Sequence, residues 1–293
     1  MQFPALSDHR KGLLLATVGG LALSTDIPLI RLSSGDVWSV LAARSLATLL
    51  VTVAVLALLR GMTGSWRAGL PGWIGLPAGL LYGLGTVCFL VAVYYTTAAN
   101  VVFILAFNPM FAAILSWMFL HERPSRATML AMAAMIVGVG LIVRDGMASG
   151  HLLGDFLSAL AAASIAGAIT IGRASRREMG FVPLLAAAVP AVIALYQVMP
   201  VGFSIDHPGW IILDGAVMMP LAFWCLATGP LFLSAPEVAM FYLLETILAP
   251  IWVWLIFAET PTHSTLSGGL ILILALAGHS VWQARARKSF AAA

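Results

Sequence analysis

Long apolar runs, separated by short polar stretches, recur along the whole chain. A helix rises 1.5 Å per residue, so about 20 apolar residues cross the hydrocarbon core of a bilayer. The pattern predicts ten such helices, over 12–30, 37–60, 73–95, 99–120, 125–143, 153–173, 181–200, 210–231, 236–258 and 264–284. The predicted connections are short. Thr97-Ala98-Ala99 and Ser234-Ala235-Pro236 leave almost no loop, so the helices flanking them form tight antiparallel hairpins. The stretch 145–154, with Gly146, Ser149 and Gly150, reads as a joint between residues 1–146 and 147–293. The first run follows His9-Arg10-Lys11, as a signal peptide would, but its length predicts a retained first span.

The same pattern occurs twice. A shift of 137 residues carries Pro71-Gly72-Trp73-Ile74 onto Pro208-Gly209-Trp210-Ile211, Cys88 onto Cys225, Trp117 onto Trp254, Glu122 onto Glu259 and Pro124 onto Pro261. One offset without gaps over this stretch predicts a duplicated five-helix unit.

Composition narrows the setting. Only 9% of residues are charged and 61% are hydrophobic, against about 25% charged in soluble domains. The chain therefore belongs in a lipid bilayer, and its basic residues form no stripe that would suit a nucleic acid. Two cysteines in apolar runs supply neither a disulfide framework nor a metal spacing. His121-Glu122 opens like a zinc motif, but Ser125 stands where the second histidine is required. There is no phosphate-cradling glycine loop and no nucleophile elbow. No cofactor, metal or catalytic constellation is expected, and the chain is not read as an enzyme.

Charge also predicts orientation. With the N-terminus on one side, that side collects Arg10, Lys11, Arg60, Arg67, Arg123, Arg126, Arg173, Arg176, Arg177, Arg285, Arg287 and Lys288, and the other only Arg31 and Arg144. The positive-inside rule then places both termini in the cytoplasm. Five spans per unit is an odd number, so the second unit is expected upside down relative to the first. The loop His121–Arg126 carries two arginines, whereas its counterpart Ala258–His263 carries none. Inverted repeats are a transporter architecture, with substrate held near the midplane between them.

The run Tyr94-Tyr95-Thr96-Thr97-Ala98-Ala99, then Asn108-Pro109 and Glu122-Arg123-Pro124, resembles the drug/metabolite transporter superfamily. Leu244-Glu245-Thr246 and Glu259-Thr260-Pro261 repeat the resemblance, and Arg44 and Gly154-Asp155 fit it. One departure is that Thr246 stands where a proline is usual, with Pro250 nearby. The resemblance is greatest to ten-helix bacterial exporters of amino acids, the aromatic amino-acid exporters above all. It implies an inner-membrane exporter of small molecules working as a monomer. It also implies a central cavity lined by spans one, three, four, six, eight and nine.

Candidate residues follow from polarity in the wrong solvent. Glu245 lies about 15 Å into span nine, at 1.5 Å per residue, and a carboxylate there normally faces a cavity or a partner. Its repeat mate is Asn108. Contact with a substrate amine, proton coupling and a latch between the units all remain open for it. Asp26 and Arg44 lie at similar depth and are expected to pair, as a structural bridge or as an outer gate. Pro109 and Pro250 each free a carbonyl four residues upstream, which suits either a hinge or a packed kink. Tyr82 and Thr86 share a face with Gly75, Gly79 and Gly83, which suits a cavity wall or a packing seam. Trp224, and Tyr242 one turn from Glu245, are candidate aromatic contacts to substrate. Asn100 and Glu237 are expected to cap their helices, and Glu122 and Glu259 to sit at helix corners.

The expected activity is secondary transport of amphipathic metabolites, aromatic or bulky apolar amino acids first, by alternating access. A multidrug or organic-cation exporter, and a non-transporting receptor or assembly subunit, are the alternatives.

Overall fold

The computed structural model describes residues 8–63, 72–121, 124–175, 181–228, 232 and 235–291. Among these the protein is helical, with no strand beyond an isolated bridge between Gly35 and Ile205. Eight helical segments are long and apolar enough to cross a membrane: His9–Leu32, Val37–Leu58, Gly72–Tyr95, Ala98–Leu120, Arg126–Arg144, Leu152–Gly172, Pro208–Leu226 and His263–Trp282. Two shorter apolar segments, Val182–Val198 and Leu244–Phe257, stand where spans seven and nine are expected.

In chain order the helices are α1 (Asp8–Ser24), α2 (Asp26–Leu32), α3 (Val37–Thr63), α4 (Gly75–Tyr95), α5 (Ala98–Leu105), α6 (Asn108–Leu120) and α7 (Arg126–Ser149). They continue with α8 (Leu152–Ser175), α9 (Val182–Leu185), α10 (Ala188–Val198), α11 (Pro208–Leu213), α12 (Met219–Thr228), α13 (Ala235–Phe257) and α14 (His263–Ala291). A π turn, Asp214–Met218, joins α11 to α12.

Prolines explain most of the interruptions. Each lacks the N–H that the carbonyl four residues earlier would accept, and its ring crowds that carbonyl. Span one breaks at Thr25, just ahead of Pro28; span four at Ala106–Phe107, ahead of Pro109; span seven at Ala186–Ala187, ahead of Pro190. Pro220 follows the π turn, where the widened ladder absorbs the missing bond. Pro250 is the exception, buried within an uninterrupted α13. Pro77 stands in the first turn of α4, where a missing donor costs nothing.

Packing crosses between the sequence halves. From the second half, α8 lies along α4 and also contacts α5 and α6. From the first, α1 lies along α12 and α13 in the corresponding way. Helices that match under the repeat offset meet each other directly: α3 with α10, α5 with α13, α7 with α14. The α7–α14 contact is backbone-close. A Cβ on Gly138 would lie 2.8 Å from the Gly268 carbonyl oxygen, and one on Gly268 would lie 2.5 Å from that of Gly138. Small residues of this kind let membrane helices approach.

One end of the bundle is heavily stitched. The α2–α3 and α10–α11 connections exchange backbone bonds: Asp36 N–H to Ser204 O (2.9 Å), Asp206 N–H to Ser34 O (3.1 Å) and His207 N–H to Ser33 O (3.0 Å). Tyr94 Oη donates to the Gly35 carbonyl at 3.1 Å. Arg31 forms an ion pair with Glu259 and also donates to the carbonyls of Val93 and Thr96. The turn after α6 lies at the other end of α7, a helix of 24 residues and therefore roughly 36 Å long.

Candidate functional site

Arg44, Thr48 and Thr52 follow one another at four-residue spacing, which places them on one face of α3. That face meets the π turn. Thr48 Oγ1 lies 3.0 Å from the Arg44 carbonyl oxygen and 2.8 Å from that of Gly215. Gly215 is required there, because a Cβ would fall 2.4 Å from the Arg44 carbonyl oxygen.

The close approach brings Asp214 to the Arg44 guanidinium. Arg44 Nε donates to Asp214 Oδ2 at 2.7 Å, and Arg44 Nη2 donates to Asp26 Oδ2 at 2.8 Å. All three residues are buried, Asp214 completely. Glu245, part-buried on α13, lies within electrostatic reach of Asp26 and Arg44. Asp26 and Arg44 thus pair as the sequence predicts, and Asp214 is an addition. It lies a few residues into span eight, at the depth of Asp26 in span one, and that shared depth was the available signal.

The other expected residues are not gathered here. Tyr82 packs in a separate cluster with Ala78, Ala168 and Val182. Thr86 Oγ1 donates to the Tyr82 carbonyl at 3.0 Å, within its own helix. On the same helix a Cβ at Gly83 would meet Val189 Cβ at 2.5 Å, so this stretch is a packing seam against α10. Asn108 opens α6 immediately after the break in span four, with Pro109 beside it and exposed. The side chains of Tyr242 and Glu237, and all of Glu122, lie outside the described residues.

Trp224 borders a pocket of about 290 Å³, shared with Val51, Val55, Phe181, Leu184 and Pro220. Thr52 also lines it, two turns along α3 from Arg44. This pocket lies between spans two, seven and eight and shares only span eight with the lining that the family resemblance implies. Its walls are apolar and aromatic, suited to a flat or bulky hydrocarbon group.

A second polar cluster sits at the stitched end. Asp155 Oδ1 accepts from Thr96 Oγ1 at 2.7 Å and from Asn100 Nδ2 at 3.0 Å. Thr265 Oγ1 donates to Asn100 Oδ1 at 3.0 Å. Asn100 therefore does not cap α5. Thr97 does, its hydroxyl accepting from the Asn100 N–H, which frees the Asn100 amide to bridge α8 and α14. Glu259 is more than a helix corner, since it also accepts from the Ala98 N–H at 3.0 Å.

An apolar helical bundle with a buried ion pair across its sequence halves is the setting for the comparison with known proteins. Residues 10–144 match the EamA-like transporter family. This supports the resemblance to the drug/metabolite transporter superfamily. The chain is also 24% identical over 281 residues to the pseudopaline exporter CntI of Pseudomonas aeruginosa, in strains UCBPP-PA14 and PAO1. That alignment covers 91% of this chain and 94% of the exporter. A solved crystal structure superposes with a TM-score of 0.64, covering 94% of this chain and 99% of its own, at 16% identity. At that identity it shows a shared fold alone. The protein is a multi-pass membrane transporter rather than an enzyme, and a small-molecule substrate is implied.

Proposed function

We propose that this protein is a secondary exporter of small amphipathic metabolites, built from ten membrane-crossing helices in two inverted repeats and working by alternating access. The observation that carries the reading is the buried meeting of Asp26, Arg44 and Asp214, with Glu245 within electrostatic reach, between spans contributed by both halves. A transporter holds polar groups at that depth, between its repeats, where substrate crosses.

The repeat-matched helix pairs support the two-fold arrangement. So does the separation of the α6–α7 turn from Glu259, whose loops correspond under the offset. Dense bonding at one end supports a state closed there, and positive-inside charge makes that end external to an inner membrane. Because α1 and α8 each pack into the opposite half, the moving bodies are α4–α6 with α8, and α12–α13 with α1. Pro109 and Pro250 serve as flexible points within them.

Aromatic or bulky apolar amino acids are the proposed substrates. The ring occupies the apolar pocket beside Trp224, and the amine is drawn to Glu245. A second reading is export of pseudopaline, favoured by the end-to-end match to its exporter. Counterflow in proteoliposomes tests both. Exchange of radiolabelled phenylalanine or tryptophan supports the first, and exchange of pseudopaline alone supports the second. Movement of quaternary amines without either would replace both with an organic-cation exporter, and no movement of any would sink the exporter reading.

A further inference from the structure

Asp26 and Asp214 share one buried guanidinium, that of Arg44, and Glu245 lies within electrostatic reach of it. With all four ionised the cluster would carry two surplus negative charges inside a membrane-crossing bundle, where each uncompensated charge is costly. Asp26 and Asp214 are held on two different nitrogens of one guanidinium, at 2.8 Å on Nη2 and 2.7 Å on Nε. Among the described residues no donor reaches Oδ1 of either aspartate, and both side chains are more than nine-tenths buried. Two buried carboxyl groups on one guanidinium, each with a bare oxygen, call for a further positive occupant.

The surroundings decide which one. Among the elements packed around the pair, Arg44 comes from α3 and Glu245 from α13, while Arg31, in the last turn of α2, is paired with Glu259. Glu237 stands at the start of α13, α11 brings no charged residue, α12 only Cys225 and α10 only Tyr196, while the titratable residues of α1 lie at its far end. Among the described residues no group of three or more His, Cys, Asp or Glu side chains could hold a metal ion. One proton placed on an aspartate oxygen cancels a surplus charge and supplies the missing donor at once.

We infer that the Asp26–Asp214 pair, held by Arg44, is a proton-binding site that couples substrate export to proton entry. This rests on the exporter reading and names the ion that drives it. An O–H bond forms on one aspartate when the cluster opens to the outside and breaks when it opens to the inside, and no other bond changes. The deprotonated pair favours an incoming ammonium group beside Glu245, and reprotonation from outside releases it. One ion replaces the other, so the two move in opposite directions.

The test needs no knowledge of the substrate. Dicyclohexylcarbodiimide attacks protonated carboxyl groups in apolar surroundings. The full chain in lipid nanodiscs is treated with it across a pH series, and the adducts are mapped by mass spectrometry. Labelling is expected at Asp26 or Asp214, falling about tenfold per pH unit once the site has titrated. Infrared spectra should show a protonated carboxyl band that disappears in Asp26→Asn and in Asp214→Asn and persists in Arg44→Lys. Labelling confined to Glu245, labelling quenched by sodium at fixed pH, or labelling that is flat with pH would each overturn the site. Labelling is read on the parent protein, so a variant that does not fold leaves the test intact. Phenylalanine or pseudopaline counterflow that ignores an imposed pH gradient would overturn the coupling. A labelled site in a protein that moves no tested compound would sink the exporter reading and leave the proton site standing.

Discussion

Arg44 and Asp214, 170 residues apart in the chain, meet through a 2.7 Å bond in which the guanidinium Nε donates to the carboxylate. The bond joins span two to span eight, and with Asp26 it draws span one into the same contact. Buried ion pairs of this kind are costly to half-remove, because the survivor keeps its desolvation cost and loses its partner.

Arg44→Leu strands two carboxyl groups at once and is expected to destabilise the fold by roughly 3–5 kcal/mol. Asp214→Asn keeps a hydrogen-bonding partner for Nε and should cost less. Thermal unfolding midpoints in detergent rank them, and equal midpoints would contradict the shared-guanidinium geometry. Arg44→Lys should recover only part of the loss, since one ammonium cannot reproduce the two-sided fork.

Gly215→Val tests the approach that makes the pair possible. Its Cβ would enter the space of the Arg44 carbonyl oxygen, 2.4 Å away. Forced apart, α3 and the π turn should lose about 1–3 kcal/mol. The same measurement on Gly209→Val, where a Cβ would meet open space, should show little change.

A double variant, Ser34→Cys with Asp206→Cys, places thiols on the residues that flank the Gly35–Ile205 bridge and are joined by the 3.1 Å bond from Asp206 N–H to the Ser34 carbonyl. An oxidised disulfide should stop counterflow, and a reductant should restore it. The native Cys88 and Cys225 are buried and should not interfere. Full exchange in the oxidised state would mean that this end does not open during transport.

Trp224→Ala should raise KM for tryptophan on the order of tenfold, about 1.4 kcal/mol, because it removes one aromatic wall of the pocket. Leu221→Ala, on the same pocket, should do less. Unchanged kinetics would move the apolar half of the substrate elsewhere.

The membrane setting and the positions of the eight long apolar helices were legible in the apolar pattern, because lipid leaves a helix few alternatives. The Asp26–Arg44 pair was legible from depth alone. Asp214 stood at the same depth, but a residue near a predicted span end is easily assigned to the interface, and the π turn that aims it inward has no simple sequence mark. Proline positions foretold the break in span four; those in spans one and seven follow the same rule at Pro28 and Pro190. Asn100 escaped because a capping position explains an asparagine so readily that its amide bridge to Asp155 and Thr265 goes unsought. The pocket depends on how three spans splay, and no single stretch of chain encodes that.

The crossed packing of α1 and α8 has a bearing on biogenesis. When the ribosome has delivered α7, the first half still lacks the helix that must lie along α4, and α1 has nothing from the second half to rest on. Neither half can consolidate alone, so early helices must wait in the lipid as loosely held passengers. Truncation near Gly150 should therefore yield a fragment that membrane proteases clear, not a stable half-transporter.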